Sequence, residues 1–543
     1  MNRLKKILES RFAGIFCFLF AITNRIIFAT LYSRIGTDTK LQLAYAENLQ
    51  AGKGMGVIKY FTNDLSTPVF DSHLQFPPGF SLVIIPFLKF FDGNEYKAML
   101  AYDIVVSILF VIAVRLLGKK AGLSPVLNNI ATLTAGCSQY TFFMSWSATE
   151  GIALCFILFA LTQTIAVIDK RGNIGLLRAT ATGLLFCLPF FFRYMYLPLA
   201  FLFPFFILLS GILLKNKNLK LGGLKTLAAS AMFFILLFIF SLSAAENALH
   251  LTNVGRGIFF DQFVEWYPFL PASFINIDFG AQLIQGLLGL EYSRVIFYLK
   301  IINLVIFVIL FLLLWRYLNV QKKKLQFSNN FLFIVIGSFV ALAIILLLAW
   351  VTLTYKQISW GFHRWTHVQE PRYFAFIYVF MPLLLLICLQ YYRSSFKKPL
   401  IRFVIWGLFF CLGTEIIHGI YYNAKILISH KDLSYIRETE KSFRSFPTII
   451  SEIKNQNPDR ELLICAPNQY YLYTASQMGY KAIFDYTNFL EADHLKVSSK
   501  SLLLMPIQPE DTIIIKDYLG KKKPRLILTI PSTLFYVQEI DPQ

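Results

Sequence analysis

Four polar clusters along this 543-residue chain carry side chains suited to moving a proton or holding a phosphate. The first opens at Asp38, beside Thr37, Thr39, Lys40, Tyr45 and Glu47. It resumes at Asp64, Asp71, His73 and Gln75, just before Pro77 and Pro78. A carboxylate at the mouth of an apolar segment can take a proton from a hydroxyl nucleophile or help hold a divalent cation. Aspartate is equally a favoured N-cap, here for a helix beginning at Lys40. The second cluster is Glu150, which opens the run "EGIALCFILFAL", where a helix dipole favours an acid. In the third, "FFRYMYLP", Arg193, Tyr194 and Tyr196 stand between two apolar runs. Such residues are ordinary interfacial anchors, and the guanidinium fork also matches a phosphate. The fourth, "YKQISWGFHRWTHVQEPRY", gathers Lys356, His363, Arg364, His367, Glu370, Arg372 and Tyr373. That density of cations suits a lipid-linked phosphate or plain headgroup contact.

A membrane framework must position these clusters, because 56% hydrophobic residues and 16% aromatics over the whole chain exceed what one soluble core uses. A span takes roughly 20 apolar residues. Such runs fall at 12–32, 98–118, 126–144, 150–168, 176–192, 194–214, 224–244, 295–318, 330–354, 372–392 and 400–422, about eleven transmembrane helices. Alternate connections are basic and almost free of acids, among them Lys119 and Lys120, Lys170 and Arg171, Lys215 to Lys220, and Lys397 and Lys398. The positive-inside rule places these in the cytoplasm with the N-terminus, and puts 33–97, 245–294, 355–371 and the tail after 423 outside. The formal charge of +20 therefore reports topology, and no nucleic-acid motif accompanies it. The run at 77–91 is short for a span and would invert every later loop if it crossed. It reads as an outer juxtamembrane helix with Pro77 and Pro78 in its first turn. The basic, then apolar N-terminus lacks a small-residue cleavage site and reads as an uncleaved anchor.

Residues 1–422 thus form an α-helical polytopic membrane domain with a large outer first loop, 33–97, and 423–543 form a small soluble extracytoplasmic α/β domain. In the latter, "ELLICAPNQYYLYTASQMGYKAIFDY" reads as strand, helix, strand, and further strands are expected at 501–507, 512–516 and 525–530. It contains no glycine-rich phosphate loop, metal-ligand spacing or nucleophile elbow. Six of the seven cysteines lie in apolar runs, so no disulfide framework is implied.

The order of these motifs resembles the GT-C superfamily of membrane glycosyltransferases, in particular protein mannosyltransferases and the aminoarabinose transferases of lipid A. The likeness lies in an acid opening the first outer loop ("TDTKLQLAYAENLQAGKG"), a Pro-Pro juxtamembrane helix ("FPPGFSLVIIPF"), an acid opening a later span ("SWSATEGIALCFILFAL") and an Arg-Tyr start to a late one ("EPRYFAFIYVFMPLLLL"). The resemblance implies inverting transfer of a sugar from a polyprenyl-phosphate donor to a lipid, glycan or protein acceptor, on the outer face of a prokaryotic plasma membrane. Asp38 is then the general base, and Arg193, His363, Arg364 and Arg372 stabilise the leaving phosphate. Tyr45, His73, Glu150, Tyr194 and Glu370 complete the candidate site. No organic cofactor is implied. Many relatives carry a second acid in the first loop, whereas Thr39 and Lys40 follow Asp38, which leaves metal dependence open. His73 and Gln75 occupy the place of the basic residue that relatives have near the proline pair. A ligase of preassembled glycans would share the cationic site. A transporter should show repeats and paired broken helices, and the sequence shows neither.

Overall fold

In the computed structural model the apolar runs become helices, several of which continue through an internal proline, at Pro86, Pro189, Pro204 and Pro382. The structure describes residues 9–32, 35–61, 64–71, 76–138, 149–170, 174–244, 284–291, 294–299, 355–359, 362–366, 375–392, 399–429, 434–466, 469–483, 499–507, 516–530 and 533–542, with isolated positions from 301 to 312 and at 497. The first half contains α1 (Arg11–Tyr32), α2 (Thr37–Gln50), the strands β1 (Val57–Phe61) and β2 (Asp64–Asp71), α3 (Gly79–Phe90), α4 (Glu95–Lys120) and α5 (Pro125–Cys137). Then come α6 (Glu150–Asp169), α7 (Leu176–Phe192), a single 3-10 turn (Tyr194–Tyr196), α8 (Leu197–Leu213) and α9 (Lys217–Ala244). After the hairpin β3 (Tyr355–Ser359) and β4 (Phe362–Thr366) follow α10 (Ala375–Tyr392), α11 (Pro399–Ser429) and α12 (Ser434–Gln456). The chain closes with β5 (Glu461–Cys465), α13 (Gln469–Gln477), β6 (Lys481–Ile483), β7 (Ser501–Ile507), α14 (Lys516–Lys522), β8 (Arg525–Ile530) and β9 (Thr533–Ile540).

Among the described residues, four helices are long and apolar enough to cross a membrane, at Arg11–Leu31, Glu95–Lys120, Glu150–Asp169 and Lys217–Phe240. Shorter apolar helices stand at Gly79–Phe90, Leu176–Phe192 and Leu197–Leu213. Local chemistry sets their ends. At the start of α4 the Asn94 side chain accepts from Lys97 N–H at 3.0 Å, with Glu95 in the first turn and Lys119 and Lys120 in the last, each favoured by the dipole. The helix expected over 126–144 stops at Cys137. Its thirteen residues reach only about 20 Å. Residues 330–354, expected to form a span, lie outside the described residues, as does most of 295–318.

Contacts at the helix ends agree with the charge pattern on which segments share a side. Lys120 pairs with Asp169 at 3.6 Å. Gln390, at the close of α10, accepts from Ser124 N–H at 2.7 Å and donates to the Gly122 carbonyl at 2.7 Å. The segments after α4, α6 and α10 therefore meet at one end of the bundle.

At the other end lies one seven-stranded sheet, in the order β2-β1-β6-β5-β7-β9-β8. Strands β5, β6 and β7 are parallel, as expected for strands joined through helices, while β9 runs antiparallel to β7 and β8. The first-loop hairpin adds its strands to this sheet, with Tyr60 of β1 in register beside Ile483 of β6. Segments from both ends of the chain thus share one sheet. Helix α12 buries Phe443, Phe446, Ile449, Ile450 and Ile453, a helical repeat of one face, against Tyr471 and Phe535. Strands β5, β7 and β8 lie where the sequence pattern puts them, but β9 was not expected. The strand expected at 512–516 is corrected at its end, where Lys516 begins α14; 512–515 lie outside the described residues.

Candidate functional site

Helix α2 begins at Thr37, with extended Gly36 as its N-cap, so Asp38 is a first-turn residue and not the cap of a helix starting at Lys40. Glycine accommodates the extended turn, and the helix starts early enough to draw the acid inside. There Asp38 is half-buried and favourably placed in the helix dipole. Its carbonyl accepts from Gln42 Nε2 at 3.1 Å, and the Gln42 carbonyl accepts from Ser81 Oγ at 2.9 Å, which fastens this turn to α3. At about 100° per residue, Asp38, Gln42 and Tyr45 fall within about 60° on one face of α2, while Lys40 and Glu47 lie roughly opposite.

On the Asp38 side, Tyr45 is buried in an apolar cluster with Leu41, Met55, Val57, Phe76 and Tyr473. Phe76 is the hinge of the site, because its other contact is the Arg193 guanidinium, 5.8 Å from the ring centroid. Arg193 in turn forms an ion pair with Glu150, which is fully buried and also accepts from Thr149 Oγ1 at 3.1 Å. Two clusters that are separate in sequence are therefore one ion pair, tied through Phe76 to the helix that carries Asp38. The proline pair precedes α3, with Pro78 as its N-cap, instead of occupying its first turn. Gly79 then presses on the end of α7: an added Cβ would stand 2.4 Å from the Phe191 carbonyl oxygen. Only a glycine lets the backbones approach this closely.

The Tyr194 and Tyr196 hydroxyls are buried, with no hydrogen-bond partner among the described residues. His363 and Arg364 stand on β4, in register with Ile358 and Gln357 of β3, so the expected loop contains a two-stranded hairpin. His73, Glu370 and Arg372 lie outside the described residues. Among the described residues no group of three His, Cys, Asp or Glu side chains gathers as metal ligands would.

Sequence inspection passed over the polar residues inside the apolar runs. Asn24 Nδ2 donates to the Gly136 carbonyl at 3.1 Å and Arg25 Nη1 to the Ala135 carbonyl at 3.2 Å, covering the last carbonyls of the short helix α5. Asn423 Nδ2 reaches Asn24 O and Oδ1, each at 3.0 Å, and Ser138 Oγ donates to the Glu415 carboxylate. The signal was there, since Arg25 and Glu415 interrupt otherwise apolar runs, where charge is costly and kept for a purpose. Here that purpose includes satisfying a helix end in an apolar setting.

The described residues thus form a bundle of apolar helices capped by an α/β sheet, with a polar site at the capped end. Among solved structures, the chain is similar to ArnT from Cupriavidus metallidurans, both bound to undecaprenyl phosphate and in the apo state. Each comparison has 12% identity, covers 97% of this chain and 98% of that one, and gives a TM-score of 0.52. The apo oligosaccharyltransferase of Archaeoglobus fulgidus is similar at a TM-score of 0.50 and 13% identity, over 96% of this chain and 74% of that one. No family model and no curated protein matches the sequence. At such identities the likeness establishes the fold.

Proposed function

We propose that this protein is an integral-membrane glycosyltransferase that moves a sugar from a polyprenyl-phosphate donor to an acceptor at the outer membrane face. The observation that carries the reading is the junction of Asp38's helix, Phe76 and the buried Arg193–Glu150 pair. It links the helix that carries Asp38 to a buried cation at one end of a bundle whose fold is shared with ArnT, a protein seen bound to undecaprenyl phosphate. In this reading 1–422 form the catalytic membrane domain, with the N-terminus cytoplasmic, and 423–543 an outer domain that contributes most of the sheet.

Asp38 takes the proton of the acceptor hydroxyl as that oxygen attacks the anomeric carbon from the face opposite the phosphate. The new bond forms as the carbon–phosphate-oxygen bond breaks, which inverts the anomeric centre and leaves the lipid phosphate with an additional negative charge. Preorganised cations lower the cost of that charge. Arg193 is the best placed of them. Glu150 holds the Arg193 guanidinium in place, and the planar fork of a guanidinium matches a phosphate. The Tyr194 hydroxyl adds a neutral donor, and His363, Arg364 and Arg372 close the phosphate side from the later loop. Each of these steps runs through the chain's own groups.

The test is transfer by purified protein in nanodiscs, supplied with radiolabelled polyprenyl-phosphate sugars and membrane extract as acceptor. Asp38→Asn should lower the rate about 10²–10⁴-fold while the protein still folds. Transfer at the unmutated rate by folded Asp38→Asn protein refutes the assigned base.

A further inference from the structure

A cavity of about 730 Å³ opens on the face of α2 away from Asp38, between the start of α4 and the helices α12 and α13. Its size falls within the roughly 300–1,000 Å³ of small-molecule sites. The deep wall is charged but balanced. Lys40 Nζ is held between both Glu95 oxygens, at 2.6 and 2.7 Å, and Glu47 Oε2 accepts from Gln477 Nε2 at 2.5 Å. At the mouth the exposed Arg444 lies 4.0 Å over the Tyr96 ring, and the Tyr96 and Tyr470 hydroxyls are 3.3 Å apart.

The composition selects the occupant. The wall is mixed: the charged side chains stand beside the apolar faces of Leu100, Phe443, Pro447 and Met478, which suits an amphipathic ligand better than an all-apolar lipid tail. Both signs of charge line it: Glu47 and Glu95 weigh against a bare phosphate, and Lys40, Lys97 and Arg444 against a polycation. A ligand whose groups both donate and accept, spread over a compact body, is what remains, and sugar hydroxyls have that property. Burial and the charge of Glu95 push the Glu47 carboxyl up to about 7, so near neutral pH it too donates as well as accepts.

We infer that this cavity binds carbohydrate and, resting on the glycosyl-transfer reading, that it seats the glycan part of the acceptor on the far side of α2 from Asp38. A helix with its side chains is about 10–12 Å across. A glycan seated beside Lys40 and Glu47 must therefore pass around the first turn of α2 to bring a hydroxyl to Asp38, so an oligosaccharide is required and a monosaccharide is too short.

The test is ligand-observed NMR on the full chain in nanodiscs, with maltotriose, chitotriose and mannotriose as probes and their monosaccharides as controls. At least one trisaccharide should bind, more tightly than its monosaccharide. Arg444→Ala, on an exposed side chain, should weaken binding about tenfold, the loss expected for a hydrogen bond to a charged group, and Gln477→Ala about three- to tenfold, the loss for a neutral one. Val83→Ala, on the exposed face of α3 and outside the cavity, should bind as the unmutated chain does. Absence of binding by all three trisaccharides, or equal binding by the Arg444 and Gln477 variants, overturns the inference. Loss of sugar from the labelled lipid donor is followed in parallel. Donor turnover without trisaccharide binding refutes the cavity and leaves glycosyl transfer standing; binding without donor turnover does the reverse.

Discussion

Replacing Glu150 by alanine leaves the Arg193 guanidinium buried without the carboxylate that balances it. Glu150 is fully buried and Arg193 is 8% exposed, so little water is present to replace the lost partner. Breaking such a pair from one side costs about 3–5 kcal/mol, whereas exchanging both members for apolar groups of similar volume is often neutral or better. The expected series is a loss of about 3–5 kcal/mol for Glu150→Ala, a similar loss for Arg193→Met, and most of the stability regained in Glu150→Leu with Arg193→Met. The measurement is a double-mutant cycle of unfolding midpoints in one detergent, closed by Glu150→Leu as the matching single variant and accompanied by donor turnover. Stability and activity should part company in the double variant: folding returns, but the leaving phosphate has lost its cation and transfer stays low. Single losses below about 1 kcal/mol that simply add would refute the buried pair. Recovery of transfer together with stability would show that Arg193 only packs.

Two further substitutions probe the supports of the site. Gly79→Ala places a methyl group 2.4 Å from the Phe191 carbonyl oxygen, so α3 must shift. The expected cost is about 1–3 kcal/mol, with a fall in transfer larger than that of Val83→Ala on the exposed face of the same helix, compared by melting point and rate. Glu47 gives a pH signature. Its carboxyl is raised from about 4.5 to about 7, chiefly by burial and then by Glu95, so the folded chain holds this proton more tightly than the unfolded one. Its contribution is full below about pH 4.5, declines as pH rises through about 7 and is flat above. Melting midpoints from pH 5 to 8 should fall less steeply in Glu47→Gln, and an unchanged slope would refute the buried carboxyl.

The apolar runs made the helices legible because burial in hydrocarbon or in a helix core demands continuous apolar sequence, and polar or charged connections mark where it stops. Strands β5, β7 and β8 were legible for the same reason, being short apolar runs between turn residues. Strand β9, "TLFYVQEI", alternates too weakly to announce itself: it pairs on both edges and takes its place from β7 and β8. The polar clusters could also be found by residue type, but their roles could not. Asp38 has the type of a cap, yet Gly36 starts the helix and moves the acid into the first turn. Glu150 and Arg193 each have an adequate local explanation, at a helix start and at an interface, and nothing local says that they pair.

What the sequence by itself determined is the membrane class, the separation of basic from acid-bearing loops and the position of most elements, since these follow from hydropathy and local propensity. Tertiary structure alone decided that Tyr60 would join Ile483 in one sheet, that Phe76 would link Tyr45 to Arg193, and that Lys40 and Glu47 would line a cavity behind Asp38. Ion pairs, sheet register and cavities depend on distances through space between segments far apart in the chain, and no local pattern encodes those distances.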